Sequence, residues 1–113
     1  MRHCFYMVKS ALFHPKAREI IREFPGDVKK TLGKLIFDVQ KGARLEMPVS
    51  RPMASVALGV EELRIKDRSG IYRAFYFARV DHAVIVFHAF VKKAQKTPKR
   101  EMELGKKRLK EML

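Results

Sequence analysis

The sequence predicts an α+β fold: a small antiparallel β-sheet with two N-terminal helices packed on one face and a C-terminal helix. Three observations carry this. The apolar residues of the first 40 positions recur at helical spacing, the pattern alternates from Gly59 onward, and a helical stripe returns after Thr97. With 113 residues, 47% of them hydrophobic, the chain is expected to form one domain, residues 1–113, around one core.

In chain order, His3 to Lys9 alternates loosely and reads as a short first strand. Ala17, Ile20, Ile21 and Phe24 then define one face of a helix ending before Pro25, because the residue before a proline is pushed out of the helical region. Val28, Leu32, Leu35, Ile36 and Val39 make the stripe of a second helix, with Pro25 suited to its first turn and Gly42 to its C-terminal cap. Residues Ala43 to Leu58, with Pro48 and Pro52, read as a loop leading to a sheet edge.

The segment GVEELRIKDRSGIYRAFYFARVDHAVIVFHAFVKK reads as a three-stranded meander turning at Asp67–Gly70 and at Asp81–His82. Simple closure of these turns places Lys66 opposite Ile71, Arg64 opposite Arg73, Phe75 opposite His88 and Ile71 opposite Lys92. One face then carries Leu63, Ile65, Tyr72, Ala74, Tyr76, Ala78, Ile85, Phe87, Ala89 and Val91, the side awaiting the N-terminal helices. The other carries Glu62, Arg64, Lys66, Arg73, His88 and Lys92 among Phe75, Phe77, Val86 and Phe90, a charged cleft with an apolar floor. Beyond Lys93, Thr97 suits an N-cap with Pro98 at the first helical position, and Met102, Gly105, Leu109 and Met112 form a narrow stripe that can dock on the sheet.

Charge narrows the function. Twenty-five Lys and Arg against twelve Asp and Glu give +13, which points to an anionic partner: nucleic acid, acidic lipid or acidic protein. Lys92 to Leu113 alone hold nine basic residues against three Glu. Lys106, Lys107 and Lys110 read as solvated helix surface, whereas Lys92, Lys93 and Lys96 stand at the strand end beside the charged face. Arg64 opposite Arg73 is informative, because like charges across a ladder repel unless an anion sits between them; Glu62 can neutralise part of the pair and a phosphate the rest.

Several classes are disfavoured. The single Cys4 excludes an intramolecular disulfide, and His3, His14, His82 and His88 show no metal-ligand spacing, so no metal or cofactor is expected. There is no Gly-rich phosphate loop or nucleophile elbow. Without a bilayer-length apolar run or a signal peptide, the chain is expected to be cytoplasmic and free of membranes.

The segments FPGDVKKTLG, LIFDVQKG, GVEELRIKDRSGIYRAFYFA and HAFVKKAQKTPKREMEL give the chain from Phe24 to Leu109 a resemblance to the phage-derived HigB-like branch of the RelE/ParE toxin superfamily. ELR and GIYR followed by HAFVKKAQKTP carry it in combination; Arg51, Pro52 and Met53 followed by ASVALG depart from the family's usual Lys-Pro-Leu and Gly-rich approach. The resemblance implies a RelE-like sheet, a type II toxin that cuts mRNA, often on the ribosome, and a helix-turn-helix antitoxin.

Metal-free RNA cleavage needs a base for the ribose 2′-OH, charge stabilisation for the phosphorane and an acid for the leaving 5′-oxygen. The candidate catalytic residues are Arg64, Arg73, Lys92 and Lys93 for charge, with Glu62, His88 or a lysine for the proton; Lys66 and Lys96 are candidate RNA-binding residues. The same fold also serves gyrase poisons, and a non-catalytic RNA-binding module or an inactive toxin would share the charge.

Overall fold

The computed structural model describes residues 8–92 and 96–113. Its elements run β1 (Ser10–Phe13), α1 (Pro15–Arg22), α2 (Gly26–Gln40), β2 (Ser50–Pro52), β3 (Val60–Asp67), β4 (Gly70–Val80), β5 (Ala83–Lys92) and α3 (Lys99–Met112). The strands form one five-stranded sheet in the order β1-β5-β4-β3-β2. The meander β3-β4-β5 is antiparallel as expected, but β1 joins β5 in parallel, so the sheet is mixed at one edge. The expected first strand falls largely on residues 3–7, outside the described residues; β1 starts one position after Lys9. The expected loop before Gly59 contributes the three-residue edge strand β2.

The two N-terminal helices form where their stripes predict. Val28, Leu32, Ile36 and Val39 are buried on α2, and Phe24, just past α1, packs edge-on against Tyr72 with ring centroids 4.8 Å apart. Pro25 is the N-cap of α2, and Gly42 takes φ 102° just beyond its C-cap, a left-handed conformation that a side chain disfavours. These helices cover Leu63, Ile65, Tyr72, Ala74, Tyr76, Val84, Val86 and Ala89.

The opposite face is also covered. Leu109 and Gly105 are buried on α3, and a second apolar cluster joins Leu109 with Met53, Val56, Val60, Phe75, Ile85, Phe87 and Phe90. At Gly105 a Cβ would stand 2.7 Å from the Phe75 ring, so α3 approaches the sheet as closely as it does only because that residue has no side chain. Each fully buried phenylalanine here contributes roughly 1.5–3 kcal/mol.

The four predicted cross-strand pairs are all present: Lys66 with Ile71, Arg64 with Arg73, Ile71 with Lys92 and Phe75 with His88. Beyond Phe75 and His88, toward the turn, the β4–β5 ladder slips by one residue, where Tyr76 pairs with Val86, and returns to the original register by Val80 and Ala83. The extra residue on β5 turns both Phe87 and His88 toward α3. This corrects the predicted faces. Ile85 and Phe87 belong to the α3 side and Val86 to the α1/α2 side, because a bulge inverts the alternation that simple turn closure assumes.

Candidate functional site: a guanidinium cluster around Glu62

Three cross-strand rows share the α3-facing side of the meander. Lys66–Ile71–Lys92 lies at one end, Arg64–Arg73–Phe90 follows, and Glu62–Phe75–His88 lies farthest in, with Arg51 of β2 opposite Glu62. Lys66 is exposed and Lys92 half-buried, whereas Glu62, Arg73 and His88 are buried.

Glu62 is the centre. Its Oε1 accepts a hydrogen bond from Arg51 Nε at 2.9 Å and lies 3.7 Å from Arg64 Nε. Its Oε2 accepts from the Thr97 hydroxyl at 2.7 Å and lies 3.6 Å from an Arg73 terminal nitrogen. That same Arg73 nitrogen donates to Thr97 Oγ1 at 3.0 Å, and Arg51 donates to it at 2.9 Å. Three guanidiniums around one carboxylate give the cluster a net positive charge. Burial lowers the Arg73 pKa below the usual arginine value, the Glu62 charge offsets part of that shift, and Arg64 and Arg51 add to it. The Arg73 guanidinium also lies 5.9 Å from the centroid of the Phe90 ring.

Two surface clefts adjoin the cluster. One, of about 340 Å³, is lined by Pro48, Val49, Arg64, Lys66 and Ile71. The other, of about 540 Å³, lies at the start of α3 and includes Lys96, Thr97, Pro98, Lys99, Met102 and Lys106. The structure thus brings Glu62, Arg64 and Arg73 together, puts Lys66 and Lys92 on the neighbouring row and lines the second cleft with Lys96; Lys93 lies outside the described residues.

The predicted open cleft is half closed. Arg73 has 0% exposure, so it meets the cluster rather than solvent, and removing it leaves Glu62 short of a buried partner instead of relieving a repulsion. The reason is that Thr97 closes over Arg73 while α3, which follows it, covers Phe75 and Phe87 on the face that strand alternation alone leaves wet.

His88 belongs to a second polar group. Arg108 donates to its Nδ1 at 2.7 Å, and since a guanidinium can only donate, Nδ1 is the acceptor and Nε2–H donates to Glu101 Oε1 at 2.8 Å. Burial lowers the His88 pKa, and the Glu101 hydrogen bond opposes this only in part. The Phe75 ring, cross-strand neighbour of both Glu62 and His88, stands between the two groups. A further link, His14 Nε2 with Glu111 Oε1 at 2.6 Å, ties the start of α1 to the end of α3 and holds the Glu111 carboxyl below its usual pKa.

Sequence reasoning gave Arg51 and Thr97 no site role. Thr97 carries the signal of an N-cap, but Pro98 takes the cap position without a side-chain cap bond, and the threonine hydroxyl turns to Glu62. Nothing in the spacing of Arg51, 46 residues from Thr97, could show that they meet.

The mixed sheet, with two helices on one face and a terminal helix on the other, is a RelE-like fold. The free E. coli toxin RelE, as a double arginine-to-alanine mutant, superposes with TM-score 0.53 and 24% identity over 95% of this chain and 100% of its own. A second structure of isolated E. coli RelE gives 0.50 and 25% over 93% and 99%. The RelBE2 toxin-antitoxin complex of Mycobacterium tuberculosis contains a chain with TM-score 0.52 and 18% identity, covering 74% of this chain and 98% of that one. Residues 19–110 match the phage-derived Gp49-like protein family, and the chain belongs to it. No curated protein matches the chain.

Proposed function

We propose that this chain is the toxin of a type II toxin-antitoxin module and an endoribonuclease that cuts mRNA on the ribosome without a metal. The observation that carries the reading is the cation-rich cluster around Glu62, which adjoins two basic clefts along which a phosphate backbone can run. Attack of a ribose 2′-OH on its own phosphate forms the cyclic phosphate and releases a 5′-hydroxyl end. Arg64, with 14% side-chain exposure, and Arg51, with 29%, can reach the phosphate, while Arg73 supports the charge from behind.

Both Glu62 oxygens and both His88 nitrogens are already bonded, so the reading assigns proton transfer to a lysine of the outer row, Lys66 or Lys92. Lys96 and Lys66 hold the RNA backbone on either side. The HigB-like placement rests on the sequence segments, and the partner that neutralises the toxin in the cytoplasm is a helix-turn-helix antitoxin.

Mapping RNA ends after induction tests the reading. New 2′,3′-cyclic phosphate or 3′-phosphate ends in mRNA, formed equally with chelator in the purified reaction, are expected. Intact transcripts with a DNA-damage response would instead identify a gyrase poison.

A further inference from the structure

Thr97 has a property that neither charge nor cleft shape requires of it. A hydroxyl has one proton to give and two lone pairs, and all three are engaged here: it donates to Glu62 Oε2 and accepts from Arg51 and Arg73. The direction is forced, because guanidiniums only donate. Thr97 is 4% exposed and stands one residue before Pro98, which holds the N-cap position of α3, so its hydroxyl is free of any capping role.

Resting on the endoribonuclease reading, we infer that Thr97 is a positioning residue: its hydroxyl joins Arg51 of the β2 edge to Arg73 of the central strand and, through Glu62, fixes the orientation of the arginines that meet the phosphate. The need for such a pin follows from the side chains. An arginine has several rotatable bonds, and a cluster of like charges tends to splay; Arg51 sits on a three-residue edge strand, where the backbone does little to hold it. The hydroxyl supplies a shared acceptor between two donors at 2.9 and 3.0 Å, which holds their terminal nitrogens together despite their charge. Because Thr97 leads directly into α3, the docking of that helix and the geometry of the cluster are set by the same residue.

The test compares Thr97→Val, which keeps the shape and deletes the hydroxyl, with Thr97→Ser, which restores it. In cleavage of an RNA substrate, Thr97→Val is expected to lower kcat about 10²-fold with KM changed by no more than about 2-fold, since the contacts remain but their placement is lost. Thr97→Ser is expected to recover kcat to within about 3-fold of the parent. A rise in KM alone, or a serine variant as slow as the valine one while equally folded, overturns the proposal.

Arginine side-chain NMR signals provide a readout independent of cleavage: those of Arg51 and Arg73 should be protected from exchange in the parent and in Thr97→Ser, and broadened in Thr97→Val. If the parent cuts no RNA, the nuclease reading fails, and these signals still decide whether Thr97 orders the arginines; unchanged signals in Thr97→Val overturn the inference. Thr97→Cys, with a weak donor and acceptor in nearly the same volume, takes the place of valine if valine prevents folding.

Discussion

The Glu62 cluster and the His88 cluster share one face of one sheet, with the Phe75 ring between them, yet they are built to opposite ends. Around His88 the groups that touch the imidazole balance, one carboxylate from Glu101 and one guanidinium from Arg108 on its two nitrogens, with the exposed Arg100 3.6 Å from the outer Glu101 oxygen. Both hydrogen bonds fasten α3 to β5. Around Glu62 one carboxylate holds three guanidiniums, of which Arg64 lines a cleft and Arg51 is partly exposed. A buried charge group whose members pair with one another serves attachment, whereas the excess of positive charge around Glu62 is what the proposed function uses to meet a phosphate.

Arg73→Ala should break the comparison hardest. Removing a buried partner of Glu62 is expected to cost about 3 kcal/mol in a denaturant melt and to abolish growth arrest on induction. An unchanged melt would mean that the guanidinium is not buried against the carboxylate.

Arg64→Ala and His88→Ala then form a crossed pair. Arg64 is partly exposed, so its loss should leave the melting temperature within a few degrees while cleavage falls about 10²-fold. His88→Ala strands Glu101 and Arg108 and should cost about 1–3 kcal/mol, with growth arrest retained wherever the protein is folded. If His88→Ala abolishes cleavage in a folded protein, the division between a fastening and a functional cluster is wrong.

A pH series sharpens the His88 side. Its pKa is depressed in the folded state, so the unfolded chain binds the proton first as pH falls. The stability associated with the neutral imidazole is therefore complete above the ordinary histidine value of 6.5 and is lost as pH drops below it toward the folded-state pKa. Melts of the parent should weaken over that window more than melts of His88→Gln. The smallest effect is reserved for Lys107→Ala on the exposed side of α3, which should alter neither melt nor growth arrest. Activity lost there as completely as in Arg64→Ala would move the RNA path to the helix surface.

Much of the fold was legible because it is written in local periods. The apolar stripe from Val28 to Val39 needs only the helical repeat to show its buried face, and the pairing of Arg64 with Arg73 follows from a two-residue turn between Asp67 and Gly70. The candidate site was legible in part for the same reason: Glu62, Arg64 and Lys66 alternate on one strand, so they share a face. The faces of Ile85, Val86 and Phe87 were not legible, since a bulge of one residue leaves no mark in an apolar run where every neighbour is buried.

By itself, then, the sequence determined the order and type of most elements, the registers next to the turns and an excess of positive charge at the end of β5, all of which depend on neighbours in the chain. Tertiary structure decided what becomes of that charge. Only in the folded chain, where Thr97 at the approach to α3 meets Glu62 and Arg73, is Arg73 out of contact with water and Arg51 brought from 46 residues away. A hydrogen bond between side chains so far apart depends on the path of the whole chain between them, and no spacing or period records that path.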